Sequence, residues 1–518
     1  LQLIASQVPT LFAGGSKAIT VNKTGEWRFL TPFKMNRLSP CRQGCLLDGE
    51  IPAWLEAVKQ KKWAEAWEIM SRYNPFPAIT GYVCFNPCEQ NCNRTQLDQG
   101  INIRAVEKAI GLWRLDHYQP PERNKEVKKE IAIVGSGPAG LSCAYYLSSA
   151  GYGVTIYERS AVIGGMLALG IPEYRLPRDI LRRELAILKA EGIIFKTNSA
   201  LGKDFQLDDL YKQHEQVFLA TGAWLARKSN IPGAESRYVY NALDFLCQYN
   251  QSRIPEVGKT VVVIGGGNAA IDSARSALRI AGVQHVVLIY RRSRPEMPAD
   301  QHEIDLAEQE GVEFIFNALP REIIKTEERI IGVRIDYCRT EKQGLFVDRD
   351  RSFIKDCQSV IMALGQVPDL AGLGTINSSQ NIFAGGDLVS GPATVAEAIK
   401  AGHCAAEAIK NVDEKLKDLS FQANYGDPVT FEYLNLAARN NLDLKQRDDN
   451  PVAEAERCLG CGTCNSCGIC YLYCPDLAVV IANGRFEFNL DYCKGCGICV
   501  NECPARALEM KEEPANDF

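Results

Sequence analysis

Ile131-Ala-Ile-Val-Gly135-Ser-Gly137-Pro-Ala-Gly140 decides the fold. The apolar run reads as a buried strand, the glycines as a tight turn, and Leu141 to Ser149 as the apolar helix that follows. Eighteen residues past Gly140, a second strand, Gly153-Val-Thr-Ile-Tyr, ends in Glu158. Strand, glycine turn, helix and acid in register form the Rossmann fingerprint. Its glycines let the backbone approach a pyrophosphate at a helix N-terminus, and its acid takes a ribose hydroxyl. Gly135, Gly137, Pro138, Ala139, Gly140 and Glu158 are read as one dinucleotide-binding set.

A second copy lies downstream. Thr260-Val-Val-Val-Ile-Gly265-Gly-Gly267-Asn268-Ala269-Ala270 is followed by a helix from Ile271 to Ile280. The next strand, His285-Val-Val-Leu-Ile, ends in Tyr290-Arg291-Arg292 instead of an acid. An acid favours the free 2′-hydroxyl of NAD, whereas arginines accommodate the 2′-phosphate of NADP. A third marker is Asn381-Ile-Phe-Ala-Gly385-Gly386-Asp387, a strand and turn opening toward a helix from Thr394 and Val395 to Lys410. Two nested Rossmann units with a later Gly-Gly-Asp are the layout of two-dinucleotide flavoproteins. FAD then lies in the first unit and the nicotinamide nucleotide in the second. Asp387 reaches the flavin side chain or caps a helix, since both roles use one geometry. Ala220-Thr221-Gly222 and Ala363-Leu364-Gly365 read as the chain crossings between the units.

The chain has 518 residues with a net charge of −5, from 58 Lys+Arg and 63 Asp+Glu. That balance gives no basic excess for phosphates, so nucleic acid is not the expected partner. No apolar run is long enough to span a bilayer, and the start of the chain lacks an export signal. The expected location is the cytoplasm.

Twenty Cys are the anomaly. Five lie near the start (Cys41, Cys45, Cys84, Cys88, Cys92) and ten between Cys458 and Cys503. Spacings of two or three residues suit a metal cluster gripped by a short loop and suit disulfides badly. Cys143, Cys247, Cys338, Cys357 and Cys404 are scattered and read as small buried hydrophobes. Cys464-x2-Cys467-x2-Cys470-x3-Cys474-Pro475 repeats as Cys493-x2-Cys496-x2-Cys499-x3-Cys503-Pro504. This is the bacterial two-cluster ferredoxin run, in which the fourth Cys of each run serves the other cluster. One [4Fe–4S] cube takes Cys464, Cys467, Cys470 and Cys503, and the other takes Cys493, Cys496, Cys499 and Cys474. Paired zinc sites are the competing reading, but zinc modules pair their Cys differently. Cys458 and Cys461 are left over and need another home.

Further stretches carry a resemblance: Gly164-Gly165-Met166-Leu167, Gly170-Ile-Pro-Glu-Tyr-Arg175-Leu-Pro177, Met297-Pro-Ala299, Asn74-Pro-Phe-Pro and Gly81-Tyr-Val-Cys84-Phe-Asn-Pro-Cys88-Glu-Gln-Asn-Cys92. With the two glycine turns, they make residues 38–412 resemble the small (β) subunit family of NADPH-dependent glutamate synthase. Dihydropyrimidine dehydrogenase and bifurcating transhydrogenases share the module. The resemblance implies FAD, NADP or NAD, and two N-terminal [4Fe–4S] clusters besides the ferredoxin pair, four in all. It adds Arg159, Gly165, Met166, Leu167 and Arg175 to the cofactor-binding residues, beside Thr221, Gly222, Gly386, Thr394 and Val395. The family's early C-x2-C is absent here, and Arg457-Cys458-Leu-Gly-Cys461-Gly resembles it. One cluster is then expected on Cys41, Cys92, Cys458 and Cys461. The other is expected on Cys45, Cys84 and Cys88 with a non-Cys fourth ligand. Dihydropyrimidine dehydrogenase supplies a glutamine there, and the matching position is Glu107. The competing reading is a glutamate on a solvated helix face.

The expected fold is multidomain α/β, with two nested Rossmann-like domains between a helical Fe–S domain and an α+β ferredoxin domain. The expected segments are a helical Fe–S domain over 1–127 (helices over 51–72 and 101–117), an FAD domain over 128–235 and 365–412, and a nucleotide domain over 236–364. A connector over 413–457 leads to the ferredoxin domain over 458–518. The linker starts at Pro120-Pro121, and the segment before Cys41, with Trp27, matches no motif that assigns it a role, partner docking being the one suggestion. No nucleophile–base constellation is present, so no catalytic residue is assigned beyond the cofactors. The expected function is an NAD(P)H:acceptor oxidoreductase subunit passing electrons through FAD and iron–sulfur clusters, in either direction, to a larger partner with its own Fe–S, flavin or metal. Free ferredoxin is a further candidate partner. The alternatives are a glutamate synthase-type small subunit and a docking subunit with an inactive flavin.

Overall fold

The computed structural model describes residues 25, 28–35, 37–120, 127–327, 329–341, 344–370, 372, 381–414, 428–434, 450–482 and 485–512. Trp27, Pro121 and most of the connector lie outside the described residues. The chain divides into two compact units, residues 73–85 with 111–419, and residues 1–72 with 86–110 and 420–518.

The first of these units holds two five-stranded parallel sheets. One runs in the order Ile382–Ala384, Gln216–Leu219, Glu130–Val134, Gly153–Tyr157, Ile194–Lys196. The other runs Glu313–Ile315, His285–Ile289, Thr260–Ile264, Ser359–Met362, Val239–Asn241. In each, the strand that feeds a glycine turn lies at the centre. Both of these strands are buried along nearly their whole length, as parallel strands covered on two faces must be. The turns lead into helices Pro138–Ser149 and Asn268–Leu278. A short antiparallel pair, Leu225–Ala226 with Gln366–Val367, marks the two crossings. A three-stranded antiparallel sheet, Ala318–Lys325, Ile330–Glu341 and Gly344–Asp356, completes the nucleotide half.

Helix Val395–Glu414 packs tightly on Pro138–Ser149: a Cβ on Gly402 would stand 2.1 Å from the Ala139 carbonyl oxygen. Cys143, Cys338 and Cys357 are buried, as expected of small core residues. Cys247 is only half-buried, and Cys404 is exposed, which corrects that expectation for both. The buried face of its helix runs through Gly402, Ala405, Ala406 and Ile409, leaving Cys404 on the solvent side.

The second unit gathers both ends of the chain. Its helical part contains Pro40–Gly44, Ile51–Lys59, Trp63–Ser71 and Pro87–Gln90. The single helix expected over 51–72 is two, because Lys61 takes a left-handed φ of 57° and turns the chain. The ferredoxin part contains helices Ile469–Leu472 and Ile498–Asn501 and the hairpin Val479–Ala482 with Arg485–Phe488. Its last strand, Leu508–Glu512, pairs antiparallel with Leu30–Lys34. The segment before Cys41 therefore supplies, over Leu30–Lys34, the strand that pairs with the last strand of the ferredoxin part. The residues just ahead of Cys464 hold Cys458 and Cys461 instead of a strand.

Candidate functional site

Both glycine turns open on one cavity of about 1670 Å³. That exceeds the roughly 300–1000 Å³ of a pocket for one drug-sized ligand. Gly135, with φ 109°, makes the first turn, and a Cβ there would press against the Ala220 carbonyl. A Cβ on Gly137 or Gly267 would meet nothing within 4 Å. Each cradle thus has room for a ligand where a side chain would otherwise stand, at a helix N-terminus suited to a pyrophosphate. The Thr221 hydroxyl, on the same wall, is buried without a hydrogen-bond partner. Room and an orphaned polar atom fit a bound dinucleotide.

The structure brings nearly all the expected nucleotide-site residues to this wall. From the first unit come Gly135, Gly137, Pro138, Ala139, Glu158 and Arg159. Gly165, Met166, Arg175, Thr221 and Gly222 join them, with Gly386, Asp387, Thr394 and Val395 from the later turn. Gly265, Gly267, Asn268, Ala269, Arg291 and Arg292 line the nucleotide side. Two expected residues stand behind the wall. Leu167 is fully buried, and a Cβ on Gly140 would lie 2.0 Å from the Gly135 carbonyl oxygen, so both are packing residues. Sequence reading missed Trp224, Lys228 and Arg321, which also face the cavity. Arg159 stacks over Trp224 at 4.4 Å. Only the position of Trp224 just past the Ala-Thr-Gly crossing could have signalled it.

Charge on the wall is held in place. Glu158 accepts from the Ser136 N–H (3.0 Å), the Ser136 hydroxyl (2.6 Å) and the Ser160 N–H (2.8 Å). A carboxylate has about four acceptor sites, so one remains for a ribose. Asp387 begins the short helix Asp387–Ser390, capped by Gly386, and so is not itself the cap. It accepts from the Ala393 N–H at 3.2 Å, and burial pushes its carboxyl up to about 6. Arg175 spends its charge on Asp272, at 3.0 and 2.8 Å.

The cysteines form separate groups in the other unit. Burial raises the Cys41 thiol well above its ordinary pKa; the Ser39 hydroxyl counters this, and the thiols of Cys92, Cys458 and Cys461 add to it. Those four come from helix Pro40–Gly44, the turn after Pro87–Gln90, and the loop after Pro451–Glu456. The loop is bolted down by Arg457, which pairs with Glu454 and Asp98, while Arg94 donates to the Arg457 carbonyl. Cys45 is raised to about 11, by burial first, with the Glu107 carboxylate among the further causes. Cys88 is buried in this unit, whereas Cys84 caps helix Pro77–Val83 in the nucleotide-binding unit. Its neighbours Val83 and Phe85 line the large cavity.

In the ferredoxin part, Cys470 is raised to about 12 by burial and then by Cys464, Cys467 and Cys503. A small cavity is walled by Cys474, Cys493, Cys496 and Cys499. The fourth Cys of each run is treated alike: Ala478 N–H points to the Cys474 sulfur at 3.2 Å, and Ala507 N–H to Cys503 at 3.4 Å. Among the described residues no three Cys, His, Asp or Glu side chains converge as ligands of a single metal ion. A cube takes one thiolate at each iron corner, so its ligands stand farther apart than those of one ion. Crowded, raised thiols fit a site whose positive charge comes with iron, since coordination deprotonates them.

Residues 129–402 match the family model described as pyridine nucleotide-disulphide oxidoreductase. The chain belongs to that family. Within this oxidoreductase family it is of the glutamate synthase small-chain kind, with iron–sulfur regions at both ends. Residues 36–118 match dihydropyrimidine dehydrogenase domain II, 4Fe-4S cluster, and residues 486–509 match a 4Fe-4S binding domain. The chain is 34% identical over 508 residues to the NADPH-Fe(3+) oxidoreductase subunit beta of Geobacter sulfurreducens, covering 82% of this chain and 75% of that one. It is 37% identical over 423 residues to the NADP(+)-dependent formate dehydrogenase subunit beta of Moorella thermoacetica, covering 72% and 59%. It is 32% identical over 411 residues to the glutamate synthase [NADPH] small chain of Azospirillum brasilense, covering 71% and 85%. No helix among the described residues is long and apolar enough to cross a membrane.

Proposed function

We propose that this oxidoreductase is the nicotinamide-nucleotide-handling subunit of an NAD(P)H:acceptor enzyme, exchanging electrons with a larger redox partner. The observation that carries the reading is the single cavity onto which both glycine turns open. Gly137 leaves room for the FAD pyrophosphate at the start of helix Pro138–Ser149, with Glu158 and Asp387 placed for its ribose and side chain. Gly267 does the same for the nicotinamide nucleotide at Asn268–Leu278. The exposed Arg291 and Arg292 offer a 2′-phosphate two cations, with Lys228 and Arg321 on the same wall, which supports NADP over NAD.

When bound, FAD takes up the two electrons of a hydride together and passes them on singly, as iron–sulfur centres require. Phe85 and Val83 line the cavity wall on either side of Cys84 in the chain, so a cluster held by Cys84 would stand next to the nucleotide site. Cys41, Cys92, Cys458 and Cys461 would hold one N-terminal cluster. Cys45 and Cys88, with Glu107, would serve the second. Cys467 and Cys496 are exposed, so a corner of each ferredoxin cluster would face an incoming redox partner. That the relatives in Geobacter and Moorella are named as beta subunits supports such a partner. Anaerobic addition of NADPH to the reconstituted protein tests the reading. Loss of the flavin absorbance is expected, and bound FAD that stays yellow with excess NADPH and NADH would overturn it.

A further inference from the structure

We infer that Arg175 is a positioning residue that latches the nucleotide-binding half against the FAD-binding half. The inference rests on the cavity holding FAD and a nicotinamide nucleotide as proposed. Arg175 sits on the excursion between strands Gly153–Tyr157 and Ile194–Lys196, which belongs to the FAD sheet. Arg178 ties that excursion back onto its own side, donating to the Leu167 and Ile171 carbonyls at 2.8 and 2.7 Å. Across the cavity wall, the Arg175 Nη1 grips both oxygens of Asp272, and its Nε lies 3.3 Å from Glu303 Oε1. Both acids belong to the nucleotide half, Asp272 one turn into the helix that starts at Asn268.

The neighbouring contacts make this a joint and not a single pair. Tyr174 donates to the Asp272 carbonyl at 3.2 Å, and the guanidiniums of Arg275 and Arg279 lie 4.7 and 4.0 Å over its ring. Asn250 donates to the Leu169 carbonyl at 2.8 Å. Glu303 also pairs with Arg275, which in turn shares Glu310 with Arg279. Arg175 and Asp272 are 8% and 4% exposed, so water competes little for the pair. On its other side the Arg175 guanidinium lies 5.9 Å from the Phe85 ring, beside Cys84. One side chain therefore joins the helix that receives the nucleotide, the loop of the flavin half and the wall next to a cluster ligand. The latch holds the two nucleotide sites in one mutual orientation, so hydride transfer needs no rotation of one half against the other.

The test compares wild type, Arg175→Lys and Arg175→Met as FAD-loaded protein. Stopped-flow reduction of the flavin by saturating NADPH is read beside reduction by dithionite, FAD content, and amide exchange in Asn268–Leu278. Arg175→Met is expected to slow reduction by NADPH on the order of a hundredfold, the scale of a misplaced reactant. Its dithionite rate, read on the FAD-loaded fraction, stays as in wild type, and amide exchange rises in that helix. Arg175→Lys keeps the charge without the two-oxygen grip and falls between. Reduction by NADPH within about twofold of wild type, with exchange unchanged, overturns the latch. If Arg175→Met does not fold, Asp272→Asn decides in the same assays: slowed hydride transfer supports the latch and a wild-type rate overturns it. Wild-type protein that NADPH cannot bleach overturns the proposed function and the latch together. A bleached wild type with an equally fast variant overturns the latch alone.

Discussion

Gly137 and Gly402 show how differently two glycines can be used. A methyl on Gly137 enters the cradle without meeting protein within 4 Å, whereas one on Gly402 drives into the Ala139 carbonyl at 2.1 Å. Gly137→Ala is therefore expected to cost the FAD-free protein less than about 1 kcal/mol. It should weaken FAD binding at least about tenfold, read by flavin titration. Gly402→Ala is expected to lose about 1–3 kcal/mol by thermal unfolding, through overpacking, whether or not FAD is present. Asp387 carries a pH signature. An unfolded aspartate titrates near ~3.9, and burial lifts the folded group to about 6. The native state thus binds more protons between those values, and its stability falls as pH rises through them. Asp387→Asn should raise the melting temperature of FAD-free protein at pH 7 and leave it unchanged near pH 4. At this scale the sequence was informative about the glycines, whose spacing is itself the signal. It singled out Arg175 as a cofactor-binding residue but was silent on its acid partners, which lie 97 and 128 positions away, a pairing no local pattern encodes.

Strand Leu30–Lys34 is the element that local pattern concealed. The central strands of both parallel sheets read directly from their apolar runs, and Gly153–Tyr157 and His285–Ile289 coincide with the stretches quoted for them. Leu30-Thr-Pro-Phe-Lys alternates only weakly, and its partner Leu508–Glu512 is at the far end of the chain. The two strands form a two-stranded sheet of their own, and Pro32 also lines the small cavity walled by Cys474, Cys493, Cys496 and Cys499. Deleting the chain through Lys34 should leave Leu508–Glu512 without its partner strand and open the cavity. Iron is expected to fall by about four or more atoms per chain, while the flavin content is retained. Iron unchanged after the deletion would show that the ferredoxin runs fold without the strand. The break at Lys61 was likewise hidden, because Gln60-Lys61-Lys62 carries no glycine or proline to announce a turn.

For the whole molecule, the two chain ends meet in one unit, and cysteines from both surround Cys41. The resemblance led to Cys458 and Cys461 being expected on one cluster with Cys41 and Cys92, but where the C-terminal loop docks depends on the buried Arg457, Glu454 and Asp98 contacts, which no motif records. The Cys458→Ser, Cys461→Ser double variant should lose about four iron atoms per chain while the ferredoxin signals persist. Its melting temperature should fall, since a cluster bridging distant segments also crosslinks the fold. The most direct test of the account as a whole is an anaerobic NADPH titration of the protein reconstituted with FAD, iron and sulfide, followed by flavin absorbance and low-temperature EPR on the same samples. Flavin bleaching accompanied by reduced iron–sulfur signals, with no added mediator, is the predicted result. Flavin that bleaches fully while every cluster stays oxidised would contradict it.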